Sequence, residues 1–286
     1  MTRLSDSLLD HLLLQDVPFG DLTTDSLGIG ERPASITYSA RNPMMLCGSE
    51  EAARMLEMKG ALVQHLIPSG RLLAEGEPFL VATGNAEALH AVWKISQTLV
   101  EYLSGIATRT RRIVDAAHRI APETVIACTR KNFPGTKEAS TRAVRAGGGM
   151  MHRLGLSETI LVFPEHRTFI AEPAALWIAA LKARATEKKI VVEVDKLADA
   201  EELMSCGIDV IQLEKFSPED TARAVEIARR HSPMPAVAVA GGVTEDNVGA
   251  YVEAGCRLIV TSSPFFGKPC DVKVVLRPRR TEQAET

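Results

Sequence analysis

The chain has no Cys-x-x-Cys spacing: its five cysteines, Cys47, Cys128, Cys206, Cys256 and Cys270, are odd in number and scattered. Neither a disulfide framework nor a thiolate zinc site is expected from them, and they suit a reducing cytoplasm. No apolar run approaches the length of a membrane span, so no membrane partner is expected. The leucines of Met1 to Gln15 are interrupted by Asp6 and Asp10 and no small-residue cleavage site follows, which argues against a signal peptide. Positive charge is not in excess either. Lys plus Arg number 33 against 36 Asp plus Glu, for a net charge of -3, which argues against a general nucleic-acid binder. Low-complexity segments and long linkers are missing.

What is there is a soluble-type composition, 45% hydrophobic and 24% charged over 286 residues, long enough for one extended barrel or two domains. Against the near-neutral background, Cys128 to Arg153 gathers Arg130, Lys131, Lys137, Arg142, Arg145, His152 and Arg153 around Gly147-Gly148-Gly149. Such a local excess of cations points to a site for a small polyanion. Lys137, Arg142 and Arg145 lie in a helix-compatible segment and read equally well as a plain solvated face. Cys128 reads as a packing residue, since no His or Asp partner is implied by spacing.

From Thr124 onward, nearly continuous apolar runs alternate with helical patterns. Strands are expected at Thr124 to Cys128, Thr159 to Phe163, Ile190 to Val194, Asp209 to Leu213, Ala236 to Ala240 and Leu258 to Thr261. Helices are expected at Pro173 to Thr186, Ala198 to Cys206, Pro218 to His231 and Thr244 to Ala254. Continuous hydrophobicity is what a strand needs when both its faces are covered, and the serial βα order suits a (β/α) barrel, with a doubly wound sheet as the alternative. Residues 1 to 104 read as a separate α/β domain. It has an amphipathic opening helix (Leu4, Leu8, Leu12, Leu13), β-rich stretches (Ile36 to Leu46, Phe79 to Ala82) and helices (Glu50 to Met58, Glu87 to Ser104). Residues 268 to 286 are expected to return to it through a strand at Asp271 to Leu276, with a frayed tail from Arg277.

In a (β/α) barrel the C-terminal ends of the strands converge on one mouth. Those ends carry Arg130 and Lys131, then Glu193 and Asp195, then Glu214, then Ala240-Gly241-Gly242, then Thr261-Ser262-Ser263. Cations beside two carboxylates from different strands suit an anionic substrate with a bound magnesium ion, because hard oxygen ligands hold the metal while Arg and Lys neutralise phosphate oxygens. Gly241-Gly242, placed before a helix expected to start at Thr244, would bring bare N–H groups to a phosphate.

Thr129-Arg130-Lys131 with Pro134-Gly135, the Ala143-Val144-x-x-Gly147-Gly148-Gly149 run, His152-Arg153-x-Gly155-Leu156, Ser104-Gly105-Ile106-Ala107-Thr108 and the opening Gln15-Asp16-x-x-x-Gly20-Asp21-x-Thr23 together resemble the quinolinate phosphoribosyltransferase family. The resemblance extends over nearly the whole chain. It implies a type II phosphoribosyltransferase fold: an N-terminal α/β sandwich domain over 1–104, joined by 268–286, and a C-terminal incomplete α/β barrel over 105–267. It also implies a homodimer or higher homo-oligomer in which one subunit helps complete its neighbour's site, and ribosyl transfer from phosphoribosyl pyrophosphate to a small aromatic acceptor. By the same resemblance Arg130, His152 and Arg153 would hold the acceptor, and Lys131 the acceptor or the pyrophosphate. Glu193 and Glu214 would face metal and ribose, Gly241 would contact the 5′-phosphate, and Lys94 would come from a second subunit. Ala240, Gly242 and Ser262 complete the expected binding set.

The departures from that pattern are specific. Cys128, Asn132, Phe163, Glu214-Lys215 and Ala240 stand where quinolinate enzymes carry Asp, Thr, Lys, Asp-Asn and Ser, and Lys94 stands for an Arg. Together with Cys128-Thr-Arg-Lys-Asn-Phe-Pro-Gly-Thr-Lys137 they resemble the ModD-type branch, a paralogue associated with molybdenum-transport genes. The expected activity is therefore transfer to an acceptor different from quinolinate. Genuine quinolinate turnover, and a non-catalytic anion-binding protein on the same fold, are the alternatives.

Overall fold

The computed structural model describes residues 3–279, in two compact units. The first comprises the chain to Thr108, Thr136–Gly148 and the segment from Gly267. Its sheet has the order Val272–Pro278, Pro33–Ala40, Pro78–Asn85, Leu62–Leu66, antiparallel throughout. Along Pro33–Ala40 every second residue is buried, the pattern of a sheet packed on one face. Ile36 and Tyr38 meet Leu9, Leu13, Met55, Leu56 and Phe79 in one core. The helix Asp6–Asp16 starts where Ser5 accepts a hydrogen bond from the Leu8 N–H, satisfying an amide that the first turn leaves free.

Two boundaries differ from the sequence expectation. The helix expected to end at Ser104 runs as Ala86–His118. Gly105 lies within it because a Cβ there would sit 2.9 Å from the Lys268 carbonyl oxygen and from Pro269 Cα, so this glycine permits close approach and marks no helix end. Thr136–Gly148, expected within the barrel, counts with the first unit. Its helix Lys137–Ala146 buries Ala139, Ala143 and Ala146 in that unit's core. The C-terminal strand does return to this sheet and includes Arg277 and Pro278. The tail expected to fray lies, from Arg280 on, outside the described residues.

The second unit, Arg109–Gly135 with Gly149–Phe266, holds seven parallel strands. Their order is Met150–Met151, Val125–Cys128, Leu258–Thr261, Ala236–Ala240, Val210–Glu214, Ile190–Val194, Ile160–Val162. From Ile160 to Thr261 each strand pairs with the next in sequence, without the reversal of order that defines a doubly wound sheet. Met150–Met151 and Ile160–Val162 end the sheet unpaired with each other, so the barrel is incomplete. Burial along Val210–Glu214 and Ala236–Ala240 is nearly unbroken, which is why Ala236–Ala240 is apolar at every position and Val210–Glu214 departs from that only at Gln212 and Glu214. The helix expected from Thr244 begins only at Val248, because the Asn247 side chain turns back to accept from the Thr244 N–H at 2.8 Å. Gly241-Gly242 is thus a turn separated from a helix N-terminus.

Candidate active site

The strand ends of the second unit enclose a cleft of about 460 Å³. Arg130, Lys131, Glu193, Glu214, Ala240, Gly241, Gly242 and Ser262 line it from strand ends, with His152 and Arg153, which only the resemblance had put there, whereas Asp195, Thr261 and Ser263 of the expected strand-end set are not among its lining residues. Neither is Lys94. It is exposed in the first unit with its ammonium 4.2 Å from the Trp93 ring centroid. A larger surface groove of about 600 Å³ is bordered by Glu201, Arg223, Glu226 and Arg230. It receives no strand end, so the smaller cleft is the candidate site.

Parallel register places Glu193 opposite Gln212 and Glu214 opposite Ala240. The Gln212 amide donates to Glu193 Oε2 at 2.6 Å and fixes that carboxylate. Burial raises the Glu193 pKa above the usual carboxylate value; the Gln212 bond opposes the rise and the Glu214 charge adds to it. Two carboxylates crowd each other here, an arrangement that a cation relieves. Among the described residues no three His, Cys, Asp or Glu side chains converge as a metal cage.

Gly241 has φ +84°, and a Cβ on it would lie 2.8 Å from Glu214 Oε1 and 2.8 Å from Lys215 Cγ. Only glycine fits, because any side chain would collide with the carboxylate that the strand delivers. Gly242, at φ +79°, faces open space.

Opposite charge enters from the other side of the sheet order. The His152 N–H donates to the Cys128 carbonyl at 2.8 Å, holding the short Met150–Met151 strand so that Arg153 follows into the cleft. Arg153 is only 6% exposed, yet its guanidinium has neither an ion pair nor a hydrogen bond among the described residues. It lies over the Phe163 ring, 5.8 Å from the centroid. Burial, then the Arg130 charge, pull its pKa down. Burial and the Arg153 charge lower the His152 pKa as well, which favours the neutral imidazole. Cys128 is a packing residue: burial pushes its thiol up to about 12.

The cationic stretch therefore divides. Arg130, Lys131, His152 and Arg153 reach the cleft, whereas Arg142 is buried in the first unit against Glu51. Sequence reasoning missed Gln212 and Lys215 as site residues. Gln212 had a signal, since it stands two residues before Glu214 and so shares its face of the strand. Among the described residues no helix is long and apolar enough to cross a membrane.

The family models of the quinolinate phosphoribosyl transferase N-terminal and C-terminal domains match residues 21–104 and 106–274. A protein named ModD pyrophosphorylase from Pasteurella multocida is 37% identical over 279 residues, covering 96% of this chain and 99% of the relative. One of the same name from Rhodobacter capsulatus is 43% identical over 258 residues, covering 90% and 99%. The solved structure of the nicotinate-nucleotide pyrophosphorylase from Francisella tularensis superimposes with a TM-score of 0.87 at 25% identity, covering 95% of both chains.

Proposed function

Since the chain belongs to the quinolinate phosphoribosyltransferase family, we propose that it transfers a phosphoribosyl group from phosphoribosyl pyrophosphate to a ring nitrogen of an aromatic acceptor. The observation that carries this reading is Arg153, a side chain only 6% exposed whose guanidinium has no anionic partner among the described residues, in a cleft shared with Arg130 and Lys131. An unpaired buried charge is costly and is accounted for by an anionic ligand.

In the reaction the ribosyl C1–O bond breaks and pyrophosphate leaves with the electron pair, while the acceptor nitrogen's lone pair forms the new C1–N bond. Arg130, Lys131 and Arg153 stabilise the negative charge that grows on the leaving group. Glu193 and Glu214 face the sugar carbon as it acquires positive character, and Gln212 keeps Glu193 from rotating away. Glu193 and Glu214, which among the described residues do not form part of a three-ligand acidic cage, would hold a magnesium ion through one or two protein oxygens, leaving positions for the substrate's oxygens. When bound, such an ion polarises the departing pyrophosphate. Neutral His152 can accept or donate one hydrogen bond to the acceptor.

The acceptor end of the cleft contains Phe163 stacked on His166, with ring centroids 5.7 Å apart. An aromatic wall favours a flat heterocycle carrying less charge than a dicarboxylate. We further propose a cytoplasmic homodimer in which Lys94 of a second copy approaches the acceptor. All five cysteines are free, in keeping with a reducing compartment. The decisive experiment is pyrophosphate release from phosphoribosyl pyrophosphate and magnesium over a panel of aromatic acids and bases, with quinolinate as reference. Turnover of another acceptor above that of quinolinate supports the reading, and release with none of them overturns it.

A further inference from the structure

We propose that the aromatic acceptor carries an N–H donor, an amino group or an azole-type ring N–H, and that the side-chain carbonyl of Gln212 receives it. This rests on the phosphoribosyl-transfer reading of the cleft and narrows the class of its acceptor.

Gln212 stands between the charged mouth of the barrel and its apolar interior. Alternate residues of a strand share a face, so Val210, Gln212 and Glu214 point the same way. Val210 belongs to an apolar cluster with Leu161, Ala238, Ala240 and Val260, whereas Glu214 ends the strand. Two residues of strand rise put Gln212 about 6–7 Å below that tip. It is only 3% exposed, and it lines the cleft together with Leu161, Phe163, Ala240 and Val260.

One end of its amide is committed. Nε2 donates to Glu193 Oε2 at 2.6 Å. An ionised carboxylate can only accept, so the amide must turn its NH2 to Glu193 and its carbonyl elsewhere. Oε1 is buried and receives no hydrogen bond among the described residues. The residue beside Gln212 on the next strand is Ala238, and the apolar side chains of this layer have no proton to give. Burying an acceptor without a donor is unfavourable, and a donor on a bound molecule removes that penalty.

The chemistry of the two substrates decides which of them brings the donor. Phosphate and diphosphate oxygens are acceptors, and the cations that suit them, Arg130 and Lys131, lie past the end of their strand. The sugar hydroxyls have two carboxylates, Glu193 and Glu214, to donate to. The uncharged floor suits the flat ring. Phe163 stands two residues past Leu161 and so on the same face, which joins the aromatic wall to the floor. A ring lying against both turns an edge to Gln212. Quinolinate would bring only a bare ring nitrogen and carboxylate oxygens to that carbonyl, acceptor against acceptor, so one residue both completes an N–H heterocycle and rejects the dicarboxylate.

The test is pyrophosphate release by the full chain, with phosphoribosyl pyrophosphate and magnesium, over matched acceptor pairs of which one member lacks the N–H. The pairs are imidazole-4-carboxylate against thiazole-4-carboxylate and 6-aminonicotinate against nicotinate; where another acceptor proves best, its deaminated or N-methylated analogue makes the pair. Wild type is compared with Gln212→Met, which keeps the side chain's length and removes both amide groups. Loss of the bond to Glu193 acts on both members of a pair alike, so the ratio of kcat/KM within a pair reports the carbonyl alone. We expect wild type to favour the N–H member by about 10- to 100-fold. Gln212→Met should bring the ratio to within about threefold of one, with Tm unchanged or raised because the unpaired oxygen is gone. A wild-type ratio near one, a preference that survives in Gln212→Met, or a best acceptor without any N–H overturns the inference while leaving the transferase reading intact. Release with no acceptor at all overturns both.

Discussion

Gln212 Nε2 lies 2.6 Å from Glu193 Oε2, and this bond joins neighbouring strands at the floor of the cleft. It opposes the burial that raises the Glu193 pKa. Gln212→Leu removes the donor, so Glu193 must ionise at a still higher pH. Metal-dependent binding of phosphoribosyl pyrophosphate needs the carboxylate charged. It therefore weakens as pH falls from neutrality through the raised Glu193 pKa, which lies above 4.5, and in Gln212→Leu this acid limb moves upward. Titrations of affinity against pH for the two proteins check the shift, and coincident curves would show that Gln212 does not act on Glu193.

The same carboxylate gives a stability prediction of defined sign. A raised folded-state pKa means that the native state binds more protons than the unfolded state between 4.5 and that pKa, so stability is lost as pH rises through the window. Glu193→Gln carries no such penalty. We expect it to melt above wild type at pH 7, with the difference closing as pH approaches 4.5, and to lose metal-dependent binding. Thermal melts across pH 4 to 7.5 measure it.

Arg142 Nε stands 3.0 Å from Glu51 Oε1, and Glu51 is fully buried. Arg142→Met strands that carboxylate and is expected to cost about 3–5 kcal/mol in urea unfolding. The double variant Arg142→Met with Glu51→Gln recovers part of the loss, because it removes the stranded charge. A surface role for Arg142 predicts instead a change within about 0.5 kcal/mol.

Arg142 and Arg153 show where the sequence stops being informative. Both belong to one cationic stretch with similar neighbours, and only the fold brings one to Glu51, 91 positions earlier in the chain, and leaves the other facing the cleft. Ile190–Val194, Ala236–Ala240 and Leu258–Thr261, by contrast, were legible to the residue, because strands covered on both faces are apolar along nearly their whole length and a lone acidic residue such as Glu193 stands out. Met150–Met151 is too short to carry a period. Lys215 was illegible for the opposite reason, since a lysine in left-handed backbone contradicts its local preference and only the tertiary structure enforces it. The helix at Val248 began late because Asn247, not the Thr244 hydroxyl, closes the preceding turn.

Gly241 and Gly242 separate backbone strain from collision. Both have positive φ, so an alanine at either costs about 1 kcal/mol or more. At Gly241 the added Cβ also strikes Glu214 Oε1 and Lys215 Cγ. Gly241→Ala should therefore lose activity by at least about 100-fold, and Gly242→Ala should lose much less at similar stability. Equal activity losses in the pair would mean that the Gly241 contact to Glu214 has no functional weight.

Phe163 decides between acceptors. Its ring lines the cleft, with the Arg153 guanidinium 5.8 Å from its centroid and His166 stacked on it, and a lysine there would add a fixed cation. A dicarboxylate brought out of water needs such charges to offset its desolvation, while an aromatic face gains more from a flat, weakly charged ring. Phe163→Lys should raise kcat/KM for quinolinate by about tenfold or more, the worth of one charge-assisted contact, and lower it for the preferred acceptor. Phe163→Leu keeps the site apolar but removes the stacking surface, so it should lower kcat/KM for the preferred acceptor without improving quinolinate. A lysine variant that leaves the ratio of the two efficiencies unchanged would place acceptor choice elsewhere, with Lys94 the next residue to substitute.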